Sequence, residues 1–162
     1  MTEATHTANP TDTTIRELLS YRLHVVANLL SRGAEMRYRR EHGVSLWEWR
    51  TVALLGVSAP LSLNDLARAA GVDKGQMSRV VSGLTARGLV SRNADSCDAR
   101  AVRLALTAKG RKLYKGLIRS AIARDSAFAG SLSAQERKAL DSALAKLALR
   151  AREFIRQEKS AG

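Results

Sequence analysis

Two short helical segments separated by one residue constrain the fold of this chain more than any other feature. Ser62 is an N-cap candidate for the first segment, and Gly71 lies where a left-handed residue would end it. Only Val72 precedes Asp73, the N-cap candidate of the second segment, which Gly88 ends. Two capped helices joined by so short a turn indicate a helix-turn-helix.

The second of these segments, residues 73–87, has two different faces. One face is apolar at helical spacing, with Met77, Val80, Val81 and Leu84. The other carries small side chains, hydrogen-bond donors and cations, of which arginine suits guanine edges and glutamine suits adenine edges. Such a face is ordinarily only solvated, and the surrounding architecture is what favours DNA contact. Together with the cap of the first segment, the predicted DNA-binding residues are Ser62, Lys74, Gly75, Gln76, Ser78, Arg79 and Ser82.

The hydrophobic period changes from 3.6 to 2 after Gly88, which predicts a two-stranded ribbon. The strands are expected at residues 89–92 and 101–106, with a polar turn at 93–100. A ribbon in this position is a wing, and its arginines, Arg92, Arg100 and Arg103, are predicted to contact a minor groove. Asp98 is predicted to hold Arg100 by a charge-assisted pair, the alternative being a loose surface ion pair.

Long helices flank this middle segment. A first helix is predicted from Ile15 to about Tyr38, a second from Ser45 to about Val57, a third from Thr107 to about Phe128, and a last one after Ser133. The apolar stripes at 15–30 and 140–155 exceed what a small middle lobe could cover. A two-fold interface with a second copy would bury them, and packing within one chain is the competing explanation.

The charge of +12 is unevenly distributed. Residues 68–112 hold 10 basic and 3 acidic side chains, whereas residues 1–67 hold seven of each. A polyanionic partner for the middle segment is therefore expected, although a general solubility charge explains the remaining excess equally well.

Other features exclude several classes of protein. No apolar run reaches the ~20 residues that span a bilayer, and the Thr-rich residues 1–14 are predicted to be a disordered tail rather than a secretory signal. A cytoplasmic protein that contacts no membrane is expected. Neither a metal site nor a cofactor is predicted, since the three histidines lack ligand spacing with the single cysteine, Cys97. Cys97 is read as an incidental thiol, with a redox sensor as the alternative.

Several motifs resemble the MarR/SlyA family of bacterial transcriptional regulators. They are Trp49-Arg50, Leu63-x-x-Leu66-Ala67, Gly71-Val72, Ser78-Arg79-Val80-Val81-x-x-Leu84, Arg87-Gly88-Leu89-Val90-x-Arg92, Asp98-x-Arg100 and Leu106-Thr107-x-x-Gly110. The order and spacing of these motifs agree with the family pattern over nearly the whole chain after the tail. Ala99 departs from the pattern, because a second arginine is frequent there.

The resemblance implies a mainly helical winged helix-turn-helix homodimer that reads a pseudo-palindromic operator, with half-sites about 34 Å apart. The expected segments are a tail at 1–14, a dimerisation helix at 15–44, the DNA-binding lobe at 45–106 and C-terminal dimerisation helices at 107–162. The resemblance also implies repression that ends when a small aromatic or phenolic acid binds between the lobes.

Cations on apolar stripes near tryptophans are the candidates for binding such an acid. Arg22 and Arg50 lead the set, and both could instead snorkel or form interface ion pairs. The complete set of predicted ligand-binding residues is Arg22, His24, Tyr38, Trp47 and Arg50.

Two other classes of function compete with a regulator. A basic architectural or RNA-binding protein would explain the charge but not the capped helices and the wing. An enzyme is not expected, because no Ser-His-Asp set, Gly-rich phosphate loop or paired-carboxylate cluster stands out in the sequence.

Overall fold

The computed structural model describes residues 13–94 and 102–162. Within these residues, a 3-10 helix at Ile15–Glu17 precedes six α-helices and two strands, in the order α1 (Leu19–His42), α2 (Leu46–Ser58), α3 (Leu63–Ala70), α4 (Lys74–Ala86), β1 (Val90–Ala94), β2 (Val102–Leu106), α5 (Ala108–Ala129) and α6 (Ala134–Ala161). The predicted fold class, mainly helical with a small wing, is confirmed. The chain divides within α5 into two compact units, one ending at Leu117 and the other comprising Ile118–Gly162.

Local capping determines where the middle helices begin and end. The side chains of Ser45, Ser62 and Asp73 each accept a hydrogen bond from the backbone N–H three residues on, at 3.1, 3.1 and 2.8 Å. Gly43 ends α1 and Gly71 ends α3, both in left-handed backbone conformations with φ of 63° and 70°. The three starts and the end of α3 agree with the sequence prediction because each depends on residues only a few positions apart.

The N-terminal prediction needs correction in two respects. Thr14, which was assigned to a disordered tail, donates its backbone N–H to Glu17 Oε2 at 2.8 Å and begins the 3-10 helix. Leu18 then adopts an extended conformation, so the expected single helix from Ile15 is interrupted before α1 begins. α1 continues past Tyr38 to His42 because nothing before Gly43 ends it.

One core in the first unit joins α2, α3, α4 and the ribbon. Its fully buried side chains include Val52, Leu66, Met77, Val81, Leu84 and Leu104. Val80, which was expected in the buried stripe, is only half-buried. Thr51 is also buried, and its hydroxyl donates to Met77 Sδ at 3.5 Å, which joins α2 to α4.

β1 begins and ends later than the sequence indicated, whereas β2 ends at Leu106 as expected. β1 pairs with β2 in antiparallel register, with Val90 opposite Leu106 and Ala94 opposite Val102. Asn93, expected in the turn, therefore belongs to β1. Leu89, expected in the strand, instead donates its N–H to Leu84 O at 2.9 Å and completes a Schellman motif at the end of α4. Leu61 forms an additional bridge to Leu104 that the sequence did not indicate.

A close backbone contact joins the start of α5 to the end of α4. Thr107 caps α5 by accepting the Gly110 N–H at 3.0 Å, and its hydroxyl donates to Gly88 O at 2.8 Å. A Cβ added to Gly110 would lie 2.0 Å from Leu89 O. Glycine is needed here because any side chain would separate α5 from the ribbon.

We expect Gly110→Ala to destabilise the protein by about 1–3 kcal/mol, the usual cost of overpacking a filled contact. Chemical denaturation in the absence of DNA measures this. Gly83→Ala is the matched control, because Gly83 is in the interior of α4 with nothing within 4 Å of an added Cβ. That variant should be neutral or slightly stabilising. Equal stability of the two variants would contradict the close-contact interpretation.

Candidate nucleic-acid interface

The polar face of α4 is the centre of the candidate interface. Lys74, Gly75, Arg79 and Ser82 are exposed, while Gln76 and Ser78 are half-buried. Burial of Met77 and Leu84 on the opposite side holds the helix in place. The structure thus brings these six predicted residues together on one helix whose other face is anchored.

Arg79 is available for an external partner. Within residues 13–94 and 102–162, no carboxylate lies within 4.0 Å of its guanidinium. A Cβ added to Gly75 would be 3.9 Å from Arg79 Nη1, so the side chain passes close to this glycine. An unpaired arginine on a rigid helix retains its donor fork for an acceptor pair such as guanine O6 and N7.

Arg92 is directed to α4. Its Nη2 donates to Ser82 Oγ at 3.2 Å, so a residue of β1 adds a cation to the edge of the α4 face. Its remaining donors have no carboxylate partner among the ion pairs of the described residues. The contact with Ser82 places Arg92 beside α4, whereas the sequence predicts that it contacts a minor groove as part of the wing.

Ser62 caps α3, and the charge of Arg103 acts on the first turn of the same helix. Ser62 Oγ accepts from Asp65 N–H and donates to Asp65 Oδ2 at 2.6 Å, so both functions of the hydroxyl are in use. This hydrogen bond lowers the pKa of Asp65 most, burial acts in the opposite direction, and the charges of Arg68 and Arg103 lower the pKa further. Arg103 therefore lies close enough to Asp65 to stabilise its carboxylate.

The wing tip lies outside the described residues. Asp98, Arg100 and Cys97 are part of it, so their predicted roles in minor-groove contact, arginine support and redox chemistry stay predictions. In the described part of the chain, no group of three or more His, Cys, Asp or Glu side chains could hold a metal ion.

The residues predicted to bind a ligand are spread over α1 and α2. His24 shares a 2.8 Å hydrogen bond with Asn28 on exposed α1, where Arg22 is also exposed. Tyr38 is almost fully buried, with its ring centroid 5.4 Å from that of Trp49. Arg50 lies over the ring of Trp47, 4.9 Å from its centroid.

A cleft of about 380 Å³ in the first unit was not found by sequence reasoning. Its wall is apolar on the side of α2 and β2, where Leu55, Val57 and Leu106 contribute. Arg111, Tyr114 and Lys115 of α5 line the other side. The signal in the sequence is only a group of cations in the first turns of α5, and nothing local connects it to α2.

Comparisons with known proteins identify the family. The sequence profile of the MarR family matches residues 42–101. The HTH-type transcriptional regulator FarR of Neisseria gonorrhoeae is 33% identical over 101 residues, which cover 62% of this chain and 69% of that protein. The chain belongs to the MarR family of transcriptional regulators.

Solved structures of MarR-type regulators share the fold. A MarR/EmrR family regulator from Acinetobacter sp. ADP1 matches with a TM-score of 0.79 and 25% identity, covering 87% of this chain and 99% of that one. The structure of MepR from S. aureus in complex with DNA matches with a TM-score of 0.76 and 20% identity, covering 83% and 98%. In the described part of this MarR-family chain, no helix is long and apolar enough to cross a membrane.

We expect Ser62→Ala to raise the pKa of Asp65 towards its ordinary value of 3.8, and Arg103→Ala to raise it by less. In the wild type, the carboxylate contributes to stability above that ordinary pKa, and the contribution is lost as pH falls through the lower pKa of the folded state. NMR titration of the Asp65 carboxyl measures both effects. Ser62→Thr keeps the hydroxyl and is the matched control. An unchanged pKa in Ser62→Ala would contradict the assigned contact.

Proposed function

We propose that this protein is a sequence-specific regulator that binds double-stranded DNA as a homodimer and represses transcription until a small organic acid releases it. The observation that carries the proposal is the face of α4. Lys74 and Arg79 extend from a helix anchored by its opposite side and have no carboxylate partner among the described residues. A helix of this kind suits a major groove, whose base edges it can reach with its first two turns.

Similarity to known regulators also supports the exposed face of α4 as the surface that contacts DNA. MepR shares the fold, and its structure was determined with DNA. The positive excess at residues 68–112 includes α4, β1 and the start of α5, and it would favour contact with phosphates. We assign Arg79 and Gln76 to base edges, Lys74 and Arg92 to the backbone next to α4, and Arg100 and Arg103 to the wing contact.

Exposed apolar side chains support a dimer. In the single chain, Leu19, Val26 and Leu29 of α1 are 55%, 54% and 66% exposed. On α6, Leu149, Phe154 and Ile155 are each more than half exposed. A second copy covering these faces would remove large apolar areas from water, and its two-fold axis would set the spacing of two α4 helices.

The cleft between α2, β2 and α5 suits an amphipathic acid. Its apolar wall would receive a ring, and the ammonium of Lys115 would pair with a carboxylate. Arg111 donates Nη1 to Leu106 O at 2.6 Å and retains further donors. None of the five ligand-binding residues predicted from the sequence lines this cleft, so Arg22 and Arg50 stay two individual candidates outside it.

Arg79→Ala is expected to cost about 1–3 kcal/mol of binding per half-site and to relax the base preference at one position. Duplexes selected from a random library provide the target, and competition gel shifts against scrambled duplex measure the preference. The free protein should have twice the chain mass of 17.6 kDa, with two chains per duplex.

Arg137→Ala on α6 is the matched control and should keep full preference. Equal competition by scrambled duplex in the wild type would contradict the proposed function and favour a basic architectural protein. Preferential binding to RNA would favour the other alternative.

Lys115→Ala should weaken binding of salicylate, used as the probe acid, and reduce its ability to release DNA. The reason is loss of the cation that faces the apolar wall of the cleft. Isothermal titration with salicylate measures the first effect. Lys112→Ala, on the same helix but outside the cleft, is the matched control. Binding that survives Lys115→Ala and is lost in Arg22→Ala or Arg50→Ala would place the acid at the other site.

A further inference from the structure

Arg87, the residue that follows α4, contacts three other elements of the first unit. Its Nη1 donates to Glu48 Oε1 of α2 at 3.0 Å, and its Nη2 donates to Gly43 O at the end of α1 at 3.1 Å. Its carbonyl oxygen accepts from Lys109 Nζ of α5 at 2.9 Å. We call Arg87 with Glu48, Gly43 and Lys109 the Arg87 junction.

We propose that the Arg87 junction positions α4 for DNA reading, and that Arg87 itself makes no contact with DNA. The proposal rests on the proposed function, because it concerns how the reading helix is held. It gives Arg87 a role distinct from that of Arg79 and Arg92, whose guanidinium groups have no carboxylate partner among the described residues.

The hydrogen bonds of the Arg87 side chain support a positioning role. Both terminal nitrogens of Arg87 are used within the protein, one on a carboxylate and one on a carbonyl. A planar guanidinium can bridge two acceptors in fixed directions, which a lysine ammonium cannot reproduce. The Glu48 carboxylate is also held by the Ser45 N–H at 2.8 Å in the capping box of α2, so the acceptor of the Arg87 Nη1 donor is fixed in place.

The position of the junction explains its effect on α4. The buried side chains of α4 hold one face of the helix, but apolar contacts alone resist sliding and rotation less than directional bonds do. Arg87 fixes the C-terminal end to the α1–α2 turn, and Lys109 fixes the same end to α5. Since base contacts must be held within about 0.5 Å, a looser end would weaken specific binding more than non-specific binding.

The central test replaces Arg87 by a residue of the same charge in the full-length dimer. Arg87→Lys keeps the charge but cannot bridge Glu48 and Gly43 O, so affinity for the selected duplex should fall about fivefold, the scale of one such partly exposed ion pair. Affinity for scrambled duplex should be unchanged. Arg137→Lys is the control for the substitution itself, because Arg137 is exposed on α6 and forms no ion pair with a carboxylate of the described residues.

Glu48→Gln separates positioning from electrostatics. Glutamine can still accept the capping hydrogen bond from Ser45 N–H but loses the ion pair with Arg87. Removing a negative charge should tighten DNA binding if charge alone mattered, whereas the junction predicts weaker specific binding. The double variant with Arg87→Lys should be little worse than the more affected single variant, because both changes break the same link.

The salt dependence decides whether Arg87 meets a phosphate. In Arg87→Gln, the slope of log affinity against log salt should stay as in the wild type. A slope reduced by about two, one for each half-site, would overturn the proposal in favour of a direct phosphate contact. An unchanged specific-to-scrambled affinity ratio in both Arg87→Lys and Glu48→Gln would also overturn it. This ratio does not depend on the fraction of folded protein, so reduced stability alone cannot produce the expected result.

Hydrogen exchange of the free protein tests the positioning role of Arg87 separately from the proposed function. Amides in the last turn of α4 should exchange faster in Arg87→Lys than in the wild type or Arg137→Lys. Wild-type protein that does not discriminate between duplexes would refute the proposed function. The exchange rates would then still decide whether Arg87 holds α4, and equal rates in all three proteins would refute that role.

Discussion

Burial of one face of α4 is the constraint on which the rest of the winged unit depends. Met77, Val81 and Leu84 are fully excluded from water, and each buried aliphatic side chain contributes about 1.5–3 kcal/mol. With these side chains inward, the remaining face of α4 must point outward. The polar residues there do not have to stabilise the fold, so their chemistry is available for recognition.

The cations of the first unit divide into two groups by their partners. Arg87 and Arg68 form ion pairs with Glu48 and Asp65, at 3.0 and 3.4 Å. Arg79 and Lys74 have no such pair within the described residues. The Arg87 pair links α4 to α2, and the Arg68 pair lies within α3 alone, while the unpaired cations keep hydrogen-bonding capacity for an external anion.

Helix junctions in this unit are built from side chains that cap or bridge neighbouring elements. Glu35 of α1 accepts the N–H of Leu46 at the start of α2 and also pairs with Arg39. Partial burial alone would raise the pKa of Glu35, but these two contacts hold it below its ordinary value. Together with the Arg87 junction, this bond ties the start of α2 to both α1 and α4.

The sequence by itself determined the starts and ends of α2, α3 and α4, because a cap and its partner lie three residues apart. An ending glycine after α3 and α4, or Pro60 after α2, likewise acts within one turn. It also determined which side of α4 is apolar, since a helix repeats every 3.6 residues. The sequence also indicated that Ser62 and Asp65 pair at the start of α3, as they do. It missed the shift of β1, since strand pairing is settled by packing. Only the tertiary structure decided that Arg87 meets Glu48, 39 residues away, and that Arg92 reaches Ser82. The cleft lined by α2, β2 and α5 likewise exists only after folding, because contacts between distant elements depend on how the buried faces pack and no local pattern encodes that arrangement.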